Sequence, residues 1–153
     1  MNYQEFERAK ETFPLRAYEK EFKELEAIRR SFVRQFSLRK LEDMTINQFV
    51  EGKGSTDSFC YILERKLDWL GRIRGRWANK FGVWYSSETE KYEFKPKYGK
   101  NHKEAFYNLK HDIIQLIKDA ERGDIKALIR NPIDSWIKGK ILSTYFPNRY
   151  LNI

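Results

Sequence analysis

The sequence predicts an α+β fold: a helical N-terminal part packed on a small, mainly antiparallel sheet that contains a β-hairpin, with further helices toward the C-terminus. Two observations carry most of this. Apolar residues recur at steps of three and four over 18–36 and again over 106–120, the period of amphipathic helices. Between them, two short aromatic-rich runs flank the polar residues 86–90, the pattern of a hairpin. The expected organisation is a helical segment at 1–44 and an α+β domain at 45–153, together one module.

In chain order, Pro14 breaks a short first helix from a long second one, because proline removes an N–H and clashes with the preceding turn. The long helix carries Tyr18, Phe22, Leu25, Ile28 or Arg29, Phe32, Val33 and Phe36 on one stripe, expected to face the core. Ser37 and Thr45 are candidate caps for short helices reaching Leu41 and Val50. A helix is expected near 57–70, with Ser55 or Thr56 as its cap and Asp57 set against its dipole. Gly71 and Gly75 end it. Strands are expected at 81–85 and 92–95, the second stopped by Pro96. Asn101 or His102 opens a helix whose buried stripe is Phe106, Leu109, Ile113, Leu116 or Ile117, and Ala120, and Gly123 closes it. Asp124 caps a short helix to Arg130, and Asn131-Pro132 turns the chain. The run 140–146 suits either a strand or a short buried helix.

At 153 residues, 41% hydrophobic and 16% aromatic, the chain can bury a core and is not of disordered composition. Its net charge of +8 favours a polyanionic partner. No apolar run approaches the roughly 20 residues that span a bilayer, and residues 1–30 are charged throughout, unlike a signal peptide. Its single cysteine, Cys60, offers no internal disulfide and suits a reducing cytoplasm and a buried position. The apolar end Tyr150-Leu-Asn-Ile153 is what an excised module would show.

The segment Gly71-Arg-Ile-Arg-Gly-Arg-Trp-Ala-Asn-Lys-Phe-Gly-Val-Trp-Tyr85 carries the strongest functional signal. Arginines fork onto phosphates and guanine edges, aromatic rings stack on bases, and glycines let a ligand approach the backbone. Arg72, Arg74, Arg76, Trp77 and Lys80 are therefore candidate nucleic-acid contacts, joined by Lys95, Lys97 and Lys100 if the hairpin lies beside the loop. Trp77 with Trp84 or Tyr85 is a candidate pocket for an extruded base, since neighbouring strand positions face opposite sides. Gly52-Lys-Gly-Ser-Thr lacks phosphate-loop spacing, but Lys53, Gly54 and Ser55 before a helix are a candidate site for one phosphate. Glu93-Phe-Lys95 has the Glu-x-Lys form of metal-dependent nucleases, with Asp68 as the available second carboxylate, on the wrong kind of element. His102 and His111 lack zinc spacing. No metal, cofactor or catalytic residue is expected.

The phrases Gly52-Lys-Gly-Ser-Thr-Asp-Ser-Phe-Cys-Tyr61, Leu70-Gly-Arg-Ile-Arg-Gly75, Lys80-Phe-Gly-Val-Trp-Tyr85 and Lys138-Gly-Lys-Ile-Leu-Ser-Thr-Tyr-Phe-Pro147, followed by Tyr150-Leu-Asn-Ile, resemble the N-terminal region of McrB-type restriction ATPases. The resemblance covers roughly residues 45–153. It implies a specificity module that binds DNA, often reads a modified base, and precedes an AAA+ motor that recruits a nuclease subunit. The function expected is thus non-catalytic binding of duplex DNA in a modification-dependent restriction system. The rivals are binding of RNA or single strands, a protein-interaction adaptor, and a Mg²⁺-dependent nuclease.

Overall fold

Three buried rings, Phe32, Phe36 and Phe59, lie within about 5 Å of one another and join the N-terminal helical segment to the rest of the chain. The computed structural model describes residues 3–12, 14–73 and 78–151. In chain order, α1 (Tyr3–Thr12), α2 (Leu15–Gln35), α3 (Leu38–Glu42) and α4 (Ile46–Phe49) precede α5 (Phe59–Tyr61). From α5 the chain continues as a π turn, Ile62–Lys66, and a 3₁₀ turn, Asp68–Leu70. A 3₁₀ turn at Ala78–Phe81 leads into the hairpin β1 (Val83–Ser86) and β2 (Lys91–Phe94). After the 3₁₀ turn Pro96–Tyr98 come α6 (His102–Arg122), α7 (Ile125–Arg130) and α8 (Ser135–Tyr145). The fold is α+β and predominantly helical, with one two-stranded antiparallel sheet. Among the described residues, no helix is long and apolar enough to cross a membrane.

Local chemistry explains most boundaries. Thr45 and Gln48 form a reciprocal capping box at α4. Asn101 accepts from the amides of Lys103 and Glu104 at the start of α6, and Gly123 closes that helix at φ 73°. Asp124 caps α7 through the Ala127 amide. The strands pair Val83 with Phe94 and Tyr85 with Tyr92 on one face, and Trp84 with Glu93 and Ser86 with Lys91 on the other. Val83 is buried and Phe94 packs against the core, so the first face is the inner one.

The structure corrects two expectations and decides two that the sequence left open. The stripe on α2 is buried only at its C-terminal end. Phe32 and Phe36 are in the core, whereas Tyr18 is 52% exposed and Phe22 57%. A helix of 21 residues runs about 31 Å, and residues 16–24 of α2 are all exposed. At the position left open between Ile28 and Arg29, Arg29 faces inward and donates to the Thr144 carbonyl at 2.7 Å, while Ile28 is exposed.

The expected helix at 57–70 starts later. Its cap is the buried Ser58, which accepts from the Tyr61 amide, and neither Ser55 nor Thr56 serves. Burial of Phe59, Cys60, Leu63 and Leu67 on a short stretch is met by an i→i+5 bond, Leu67 to Ile62, that widens the turn. Asp57, no longer at a helix start, pairs with Lys66 at 3.2 Å.

The run 140–146 belongs to helix α8 through Tyr145, capped by Asp134. Ile137, Lys140, Ile141, Leu142, Ser143 and Thr144 are all buried, so the helix has no polar face for periodicity to reveal.

One glycine is demanded by close approach. Gly52 has φ 107°, and a Cβ there would lie 2.2 Å from the Tyr85 carbonyl oxygen. The Tyr85 amide donates to the Glu51 carbonyl at 3.2 Å, which presses the 51–54 loop onto β1. Gly52→Ala is expected to cost about 1–3 kcal/mol from backbone strain alone, read as a lowered midpoint in thermal denaturation.

Candidate nucleic-acid interface

Both ends of the basic loop are tied to the same helical stretch by buried lysines. At its start, Lys140 reaches from α8 with no solvent exposure and donates to the carbonyls of Leu67 and Gly71, the latter at 2.6 Å. Burial lowers its ammonium to about 8, partly offset by Asp68. At the loop's far end, Lys80 pairs with Glu64 on the π turn, and both side chains are nearly buried. Ile73 adds an apolar anchor between these two points. Glu51 lies beside this pair. Its carboxyl is held above the usual carboxylate range by burial and by the Glu64 carboxylate, with Arg65 opposing.

This geometry sorts the sequence candidates. Arg72 is open to solvent, its side chain 86% exposed and only loosely paired with Asp68 at 3.8 Å. Arg74, Arg76 and Trp77 lie outside the described residues. Lys80, expected on the phosphate surface, turns inward instead, because an ammonium in that apolar setting needs the Glu64 carboxylate. Lys80 is therefore a structural part of the loop's root.

The hairpin adjoins the loop, as the second basic run requires. The Lys95 amide donates to the Gly82 carbonyl at 2.8 Å, extending the pairing to the residue that leaves the 3₁₀ turn. By strand alternation the outer face carries Trp84, Glu93 and Lys91, with the half-buried Lys95 next along β2. Trp84 is half-buried and flanked there by these charges. Lys97 is exposed, its ammonium 4.5 Å from the Tyr98 ring centroid, and Lys100 is exposed before α6. Tyr85 faces the other side, against Tyr92 at 5.4 Å. Trp84 and Tyr85 therefore lie on opposite faces, as alternation predicts, and the Trp77 wall of the expected pocket falls outside the described residues.

The phosphate site expected at Lys53, Gly54 and Ser55 is not at a helix start. Those residues form a loop, and the helical turn begins after Ser58. Gly52 and Gly54 both have positive φ, which keeps the segment out of helix. The side chain of Lys53 folds back instead over Tyr85 and Tyr92.

The Glu-x-Lys reading finds Glu93 on the outer face, accepting from the Thr89 hydroxyl at 3.0 Å, and Asp68 at the loop root facing Arg72. Among the described residues, no group of three or more His, Cys, Asp or Glu is placed to hold a metal ion. Cys60 is fully buried as expected, its thiol pushed well above its usual range by that burial.

Glu64 and Lys140 escaped the sequence reading. Lys140 had a signal: with Lys138 it is one of two charges inside the otherwise uncharged run Ile137 to Leu142. Lys138, the other charge, is also used structurally, donating to three carbonyls at the end of α7. Comparison with family models, curated proteins and solved structures finds no match to this chain.

Proposed function

We propose that this chain is a non-catalytic DNA-binding module, with the 71–80 loop and the outer hairpin face as its contact surface. One observation carries the reading: a loop rich in arginine is held at both ends by buried lysines, while Arg72 at its start points into solvent. Such clamping spends buried charge on the position of a loop, which makes sense where the loop's own charges must meet a ligand. Duplex phosphates suit Arg72, Arg74, Lys95, Lys97 and Lys100, with Arg76 and Trp77 nearest the bases. The resemblance to McrB-type proteins extends the proposal. In that setting the module works in the cytoplasm as the specificity part of a modification-dependent restriction system, alongside an AAA+ motor and a nuclease subunit.

Anisotropy titrations test it, with labelled duplexes that are unmodified or carry 5-methylcytosine or N6-methyladenine. The expected result is duplex binding with a preference for one modified form. Equal affinity for all three duplexes would remove the modified-base part and leave the DNA-binding part. One feature favours a second reading as a protein adaptor: Tyr18 and Phe22 stand exposed on α2. Under that reading Tyr18→Ala leaves duplex binding intact and abolishes a protein contact.

A further inference from the structure

The inner end of the hairpin carries a second cluster, distinct from the loop. Tyr92 and His102 stack with ring centroids 5.3 Å apart and planes 21° from parallel, and Tyr85 meets Tyr92 edge-on. Lys53 places its ammonium 5.0 Å from the Tyr85 ring centroid and 4.9 Å from that of Tyr92. Asn47 ties the parts together. Its Oδ1 accepts from the Tyr92 hydroxyl, and from Lys53 at 3.1 Å. Tyr85, Tyr92 and His102 are each half-buried, while Asn47 and Lys53 are exposed.

Three features separate this cluster from ordinary hairpin packing. The Lys53 ammonium has no carboxylate partner among the described residues, so its charge is free for an anion. The loop that delivers it is built for closeness, since Gly52 is the only kind of residue that fits against the Tyr85 carbonyl. His102 opens a 21-residue helix, so the positive end of that helix's dipole lies beside the stack. Exposed Lys100 and Lys103 flank it in sequence.

We infer that this cluster is a stacking site for an unpaired nucleobase, with Lys53 holding the adjoining phosphate. The chemistry is the one by which single strands are bound: an aromatic surface for a base face beside a cation for the backbone. The inference rests on the nucleic-acid reading above and adds a separate contact for an unpaired stretch, on the side of the hairpin away from Trp84.

The test compares a labelled oligothymidylate with an abasic strand of equal length and charge, and runs duplex binding in parallel. The wild-type chain is expected to bind the thymidylate roughly tenfold more tightly than the abasic strand for each stacked base. His102→Ala leaves the Asn101 cap in place, and Tyr92→Leu keeps the apolar packing. Each should bring that ratio close to one while leaving duplex affinity unchanged. Lys53→Gln, at an exposed position, should weaken both strands alike and lower the single-strand salt slope by about 0.7. Equal binding of thymidylate and abasic strand by the wild-type chain, with duplex bound, overturns this site and leaves the DNA-binding proposal standing. A ratio preserved in a folded His102→Ala chain overturns it as well. Failure to bind any of the three nucleic acids at low salt sinks both.

Discussion

A chain carrying Arg72→Ala, Arg74→Ala and Arg76→Ala together keeps its fold and loses duplex affinity by roughly 100-fold or more. The magnitude follows from three charge-assisted contacts, two to phosphates and one to a base, worth about 1 kcal/mol or more each, with tenfold per 1.4 kcal/mol. The fold is spared because Arg72 makes one loose surface pair, with Asp68 at 3.8 Å, and pairs of that kind contribute little. Arg74 and Arg76 enter through their spacing in the sequence. Circular dichroism and thermal denaturation establish that the variant is folded, and anisotropy against a labelled duplex reads the loss. Full retention of affinity in the folded variant would contradict the assignment of this loop.

Lys140→Ala is expected to destabilise the chain by about 3–5 kcal/mol. The substitution takes the lysine donor from the half-buried Gly71 carbonyl and one of two donors from the Leu67 carbonyl, which keeps the Leu70 amide, and it opens a cavity beside α8 that carries most of the cost. Lys140→Met fills most of that space and removes a buried charge, so its cost is smaller, about 1–2 kcal/mol. Denaturant titration separates the two. Both variants lose the tie at Gly71, so both should weaken duplex binding without altering any residue that touches DNA.

The same lysine gives the chain a pH signature. Burial lowers Lys140 from 10.5 to about 8 in the folded chain. Between those pH values the unfolded chain holds the extra proton, so the Lys140 contribution to stability rises with pH across the window, by up to about 3 kcal/mol. Below pH 8 both states are protonated and the term is constant. Cys60 and Tyr145 act in the other direction: burial raises the thiol well above its usual range and the phenol above 10, so their contributions fall as pH rises through the ranges in which the unfolded thiol and phenol ionise. Lys138, which burial also lowers, adds to the rise. The Lys140 term is therefore read as the difference between the wild-type chain and Lys140→Met, by chemical denaturation at pH 8 and pH 10. That difference should shift in favour of the wild-type chain as pH rises.

Elements announced by a cap or a glycine were legible in the sequence. Asn101, Asp124 and Thr45 cap through side chains that bond where expected, and Gly123 ends α6 through its left-handed backbone, all within a few residues. The hairpin was legible within two residues at each strand end, because the aromatic runs and the polar turn share one local pattern. What escaped depends on distant contacts. The π turn at Ile62–Lys66 answers the burial of Cys60, Leu63 and Leu67, and no residue type marks such a turn. Helix α8 is buried at every residue from Lys140 to Thr144, so that stretch carried no amphipathic signal. The stripe on α2 promised a core that the rest of the chain covers only at Phe32 and Phe36.

The site was legible in kind and less so in its membership. A basic run looks the same in sequence whether a lysine points outward or inward. Only the fold shows that Glu64 turns Lys80 into the core, and that Lys140 ends under the loop. The strand placed Trp84 and Tyr85 on opposite faces, as alternation requires. Which of them faced out depended on Val83 and Phe94 being the pair that packs on the core.

The salt dependence of duplex binding reaches the central proposal most directly. Anisotropy titrations of the wild-type chain against one labelled duplex, at low and at moderate salt, give the slope of log affinity against log salt. Contacts from Arg72, Arg74, Lys95, Lys97 and Lys100 to separate phosphates set it at about −0.9 for each one engaged, near −4 to −5 for the full set. A slope near zero, or no duplex binding at low salt, would contradict a phosphate-contacting surface on this loop and hairpin.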